Sequence, residues 1–144
     1  MKIKSQTLSA ISGAGALSFV VVIAFLHFAQ PSYDPSSQFM SELVFGRFGG
    51  MLLLAFVGLS ASTAATAVNV HAHNSPFILH LMLGLTAVCF LAAGVVTLAT
   101  SSQTHIFFVA IAFVACGTSM YLLPRTVAAF YALPYRLVSW GSWS

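Results

Sequence analysis

Charge is what this chain has least of. Among its 144 residues, five are Lys or Arg and two are Asp or Glu, so charged residues make up 5% of the whole. A soluble domain carries about 25%. A water-facing surface cannot be built from so few ions, and lipid is the expected solvent. The cations (Lys2, Lys4, Arg47, Arg125 and Arg136) are scattered. They form no run or patch, which leaves nucleic-acid binding without support. Cysteine is equally sparse. Cys89 and Cys116 each sit inside an apolar run, spaced neither as a metal pair nor as a disulfide framework. They read as small apolar filler.

What is present is apolar: 59% of the residues are hydrophobic. A helix needs roughly 20 apolar residues to cross about 30 Å of hydrocarbon. Four runs meet or approach that length, at about residues 8–29, 49–70, 77–99 and 105–123. The fourth is expected to stop at Pro124. Backbone polar groups in lipid must pair within their own segment, so these runs are read as helices. A β-barrel would show short alternating segments instead. The expected fold is all-α: one transmembrane domain over residues 1–144, built as an integral-membrane four-helix bundle.

The cationic start MKIK followed by an apolar run resembles a signal peptide. The run from Leu8 to Phe28 is longer than a usual signal core, and His27-Phe28-Ala29 is a poor cleavage site. The expectation is a retained first helix. Four spans place Lys2, Lys4, Arg125 and Arg136 on one side and only Arg47 on the other. Cation bias then predicts both termini in the cytoplasm of a bacterial inner membrane, with residues 31–50 facing outward.

The tail VAAFYALPYRLVSWGSWS, within residues 125–144, is too short and too interrupted by Pro134 and Arg136 for a fifth span. Its aromatics, among them Tyr131, Tyr135, Trp140 and Trp143, suit a membrane-interface segment or a strip for docking a neighbouring subunit. Small residues recur four apart at Gly46 and Gly50, Gly58 and Ser62, and Ala61 and Ala65, and Ser12-Gly13-Ala14-Gly15-Ala16 opens the first span. Such spacing lets helices approach closely, either within the chain or against another subunit.

Both acidic residues fall in PSYDPSSQFMSELVFGRFGG, residues 31–50. Asp34-Pro35 reads as an N-cap followed by a first helical residue, and Gly46 as the stop. Phe39, Met40, Leu43 and Val44 would then share one face, with Gln38, Ser41 and Glu42 on the other. The expectation is a short outer amphipathic helix in which Asp34 caps and Glu42 faces water or pairs with Arg47. The alternative is a site. Tyr33, Asp34, Gln38, Ser41, Glu42, His105 and His27 would converge at the outer mouth, where carboxylates and a histidine can do acid–base work or hold a metal.

The segment YDPSSQFMSEL, residues 33–43, resembles the Tyr-Asp-Pro…Gln…Ser-Glu-Leu motif of a bacterial multi-pass membrane family known as domain of unknown function nine-nine-eight. In that family the motif follows the first span and precedes a Gly-rich entry to the second, similar to Gly46–Gly50 here. A histidine before the fourth span is similar to His105. The resemblance covers about residues 8–125 and implies a multi-pass fold with no settled activity. This chain departs from the family in being shorter, with four spans rather than about six. It also lacks acids in its third outer loop, LATSSQTHIFF.

The chain holds five histidines. His27 and His105 lie at the outer side, His71 and His73 on the inner side, and His80 one turn into the third span. Haem in membrane bundles is held by histidines on facing helices at matched depth. An outer pair, His27 with His105, and an inner pair, His71 with His80, would imitate a two-haem arrangement. His71-x-His73 alone supplies too few ligands for a metal site.

Three functions follow. The expected one is a non-catalytic accessory or structural subunit of a larger membrane complex, since intramembrane charges, the usual mark of transport and proton relays, are absent. The others are a haem- or pigment-binding electron carrier using His27, His80 or His105, and an outer-leaflet lipid-modifying enzyme using Asp34, Ser41, Glu42 and His105.

Overall fold

The structure is a computed structural model that describes residues 5–72 and 75–140, with side chains to Pro124. Four α-helices account for most of it: α1 (Ser5–Ala29), α2 (Leu52–Ala72), α3 (Phe77–Val95) and α4 (Ser102–Trp140). No strand forms among the described residues. Four stretches are long and apolar enough to cross a membrane: Ser5–Ala29, Gly49–Ala72, Phe77–Val95 and Ser102–Pro124. The chain is a multi-pass membrane protein built as an all-α four-helix bundle. The shortest helix, α3, has 19 residues. At 1.5 Å per residue it is about 28 Å long, close to the hydrocarbon thickness.

Two ends differ from the sequence expectation. The third helix stops at Val95 rather than 99, where Val96 turns out of the helix and its N–H bonds back to Ala92 O at 2.7 Å. The fourth does not stop at Pro124. Its backbone stays helical to Trp140, through both Pro124 and Pro134. Proline removes one rung of the hydrogen-bond ladder, and a helix can continue on either side of that gap. Residues 125–140 are therefore helical backbone continuous with α4. The side chains of Arg125, Tyr131, Tyr135, Arg136 and Trp140, and all of Trp143, lie outside the described residues. So do Lys2, Lys4 and His73.

The helices run up-down-up-down, and each packs along its neighbour in sequence: α1 on α2, α2 on α3, α3 on α4. No comparable contact joins α1 to α3 or α4. The bundle is an open row with α1 and α4 at its edges. Small residues set the α1–α2 spacing. A Cβ on Gly15 would strike Gly58 O and lie 3.0 Å from Ser62 N, and one on Gly58 would lie 2.7 Å from Gly15 O. The Gly58–Ser62 pair is thus filled by the chain's own first helix.

Hydroxyls hold the same seam. Ser12 Oγ lies 2.9 Å from Thr66 Oγ1 and 3.3 Å from Ser62 Oγ. Thr66 donates its only proton to Ser62 O. Ser12 must then donate to Thr66, and Ser62 to Ser12. Ser5 Oγ adds a bond to Asn69 Oδ1 at 2.8 Å nearer the helix ends. Interhelical bonds of this kind average about 0.6 kcal/mol in lipid, so close backbone packing supplies most of the contact.

The main core cluster gathers Leu26, Leu43, Leu52, Phe56, Cys89, Phe90, Ala93 and Ala112. Most of these belong to the helix ends beside residues 30–51. That segment closes one end of the row as a cap, and Leu43 is its plug, with 0% exposure.

Candidate functional site

The cap is built from turns rather than from the expected α-helix between Asp34 and Gly46. Gln30 O accepts Tyr33 N at 3.0 Å, and Asp34 O accepts Ser37 N and Gln38 N. Only Met40–Phe45 is helical, as a 3-10 segment, followed by a second one at Gly49–Met51. The reason is local competition. Ser36 and Ser37 each place a hydroxyl on the Asp34 carboxylate, which an aspartate-serine turn satisfies as well as a helix would. Phe39 then adopts an extended backbone, φ −72° and ψ 145°. The predicted apolar face divides. Leu43 and Val44 enter the core, while Phe39 and Met40 point away from the protein.

Asp34 does cap, but it caps a turn. Its Oδ1 accepts Ser36 N at 2.9 Å and Ser36 Oγ at 2.7 Å, and its Oδ2 accepts Ser37 Oγ at 2.8 Å. These bonds hold its carboxyl below the usual carboxylate range, chiefly through the Ser36 hydroxyl. Glu42 closes the next turn. Its Oε1 accepts Phe39 N at 3.0 Å and its Oε2 accepts Gln38 Nε2 at 3.3 Å. Gln38 Oε1 in turn accepts Asp34 N at 2.8 Å. Tyr33 Oη donates to Gln38 O at 3.3 Å. Burial, then the Glu42 and Asp34 carboxylates, push the Tyr33 phenol up. Among the described residues Glu42 makes no ion pair with Arg47, whose guanidinium lies over the Phe48 ring, 5.5 Å from its centroid.

The structure therefore brings Tyr33, Asp34, Gln38 and Glu42 together, with His27 beside them. The His27 ring meets Tyr33 edge-to-face at 4.9 Å, and its Nδ1 bonds Ile23 O at 2.8 Å. Ser41 is half-buried in the 3-10 segment, and no hydrogen bond among the described residues ties it to Glu42 or His105. Gly46 is pressed against Gln30, and Gly50 borders open space.

His105 is elsewhere in role. It is 2% exposed on the first turns of α4. Its Nδ1 lies 2.9 Å from both Ala93 O and Val96 O. Two carbonyl acceptors assign the proton to Nδ1, so His105 serves as a cap for the last carbonyls of α3. Its Nε2 is buried without a partner, and its ring stands edge-to-face on Phe56 at 5.9 Å. A buried cap has no open path to a substrate.

At the opposite end of the row His71 and His80 meet edge-to-face with centroids 4.9 Å apart, and His80 Nδ1 is buried without a partner. Rings in direct contact leave no slot for a porphyrin between them. His80 and the Ala93 carbonyl that His105 holds are thirteen residues apart on α3, or about 20 Å along the helix. His80 and His105 are too far apart to share one iron. Among the described residues no three His, Cys, Asp or Glu side chains gather as a metal site.

Sequence reasoning missed Gln30. It is 5% exposed, and its Nε2 donates to Leu43 O at 3.1 Å, pinning the cap to the end of α1. The available signal was a lone amide directly after an apolar run and before a proline. It also missed the Ser12–Ser62–Thr66 hydroxyl chain, whose sequence trace is three hydroxyls among small residues. One apolar groove of about 370 Å³ opens between α3 and α4, lined by Met82, Leu85, Phe107, Ala110, Ile111, Val114 and Ala115. None of the candidate polar residues lines it. No known protein family, curated protein or solved structure matches this chain.

Proposed function

We propose that this protein is a non-catalytic accessory or structural subunit of a larger membrane assembly. The observation that carries the reading is that both carboxylates are engaged by the chain's own groups, while His105 is buried as a cap of α3, 2% exposed. Asp34 and Glu42 spend their carboxylate oxygens on the chain's own amides and hydroxyls. His105 spends its proton on two α3 carbonyls. A general acid or base needs a group free to exchange its proton with substrate. These groups shape a cap instead, and the lipid-enzyme and haem readings find no comparable support.

The open row supplies the other half. The outer edge of α1 presents Leu17, Val20 and Val21, each more than half exposed. Gly13 lies on the same helix with nothing near its Cβ position. Lipid satisfies such an edge, and so does a neighbouring transmembrane helix that packs closely against a glycine. The cation distribution supports a setting in a bacterial inner membrane, with the termini in the cytoplasm and the cap outside. The likeness of residues 33–43 to the nine-nine-eight family fits that setting and brings no activity with it.

In-membrane photocrosslinking tests the reading. A photoreactive phenylalanine at Leu17 is expected to give one discrete adduct with a larger membrane protein in the native membrane. The same probe at Val88 on α3, mid-row, is expected to give lipid adducts. Lipid adducts alone from both positions would contradict the proposal.

A further inference from the structure

Arg47 is the only Lys or Arg among the residues whose side chains are described. It stands in the cap between Phe45 and Phe48, exposed, with its guanidinium over the Phe48 ring. The Phe48 ring meets Phe25 of α1 at 5.7 Å, edge-to-face. Phe25 lies one turn inside the end of α1, so this part of the cap is level with the last turn of a membrane helix rather than above it. Other aromatics mark the same level. Phe28 is 87% exposed, Phe45 65%, and Phe107 on the first turns of α4 60%. Exposed apolar rings on several elements near this end of the row leave lipid-facing surface around Arg47.

Both acids of the chain lie within the same cap, and neither reaches Arg47. Asp34 is held by Ser36 and Ser37, and Glu42 by Phe39 N and Gln38. The guanidinium keeps its fork of N–H donors beside the last turn of α1, at the end of a membrane-spanning segment. Arginine on an aromatic face remains free to grip a phosphate with two parallel bonds. We propose that Arg47, with Phe45 and Phe48 as an apolar rim, binds the phosphate of a glycerophospholipid in the leaflet on the cap side. The two rings would lie against its acyl chains.

The full chain, purified in mild detergent and mixed with phosphatidylglycerol, allows bound lipid to be counted by native mass spectrometry. Wild type is expected to keep one phospholipid. Arg47→Gln is expected to keep about tenfold less, and Arg47→Lys an intermediate amount. Equal retention in all three would overturn the proposal. Excess inorganic phosphate that displaces the lipid from wild type and itself remains bound would assign the site to soluble phosphate instead. A depth measurement guards against a folding effect. In a Trp140→Phe/Trp143→Phe background, Phe45→Trp in phosphatidylcholine vesicles with brominated chains is expected to fluoresce blue-shifted and strongly quenched. Unquenched emission at the wavelength of tryptophan in water would place the rim outside the bilayer and contradict the proposal.

Discussion

Ser36 and Ser37 donate to the Asp34 carboxylate through one amide and two hydroxyls, and all three bonds favour the ionised form. The folded pKa of Asp34 consequently lies below its ordinary 3.8. A carboxyl with a depressed folded pKa adds stability that is complete above the unfolded pKa and is lost as pH falls through the folded one. The cap is therefore expected to be unchanged down to about pH 5 and to loosen on further acidification. Protection of the Ser36 and Gln38 amides in detergent, relative to their intrinsic exchange rates at each pH, should fall below that point. Asp34→Asn should exchange faster at neutral pH and lose most of the dependence. A Ser36 protection factor, relative to the intrinsic exchange rate at each pH, that stays constant through this acid range in wild type would show that the carboxylate does not hold the turn.

At the scale of elements, two contacts decide how helices meet. Gly58 sits where α1 and α2 backbones touch, so Gly58→Leu must push them apart. Overpacking of this kind costs about 1–3 kcal/mol. Thermal unfolding in detergent should show that loss, while Gly13→Leu, with open space at its Cβ, should unfold as wild type does. His105 joins the start of α4 to the end of α3. His105→Ala leaves the Ala93 and Val96 carbonyls without this donor, in a buried place, at about 1–3 kcal/mol. The loss should appear as reduced stability. An unfolding temperature equal to wild type would remove the capping role.

The helices were legible in the sequence because lipid leaves the backbone no alternative. The ends and the cap were not. Pro124 read as a stop because proline costs a bond, yet one missing bond does not end a helix. Asp34-Pro35 read as a helix start because the motif is the same for a turn, and only the two serines that follow tip it. The meeting of Gly15 with Gly58 was half visible. The small-residue spacing announced a seam but could not say whether its partner was α1 or another chain. His105 looked catalytic because a histidine at a span end offers no sign of which carbonyls it will reach.

The whole molecule is an open row of helices closed at one end by a self-satisfied cap. Both carboxylates of that cap are engaged by its own amides and hydroxyls, and the row offers two edges to its surroundings. The central claim is that these edges belong in a larger assembly. The most direct measurement is extraction from the native membrane in mild detergent, with size separation, mass spectrometry and an absorption spectrum taken on the same peak. The account predicts co-migration with a larger membrane complex in fixed stoichiometry and no haem band from this chain. A small peak holding this protein alone would contradict it.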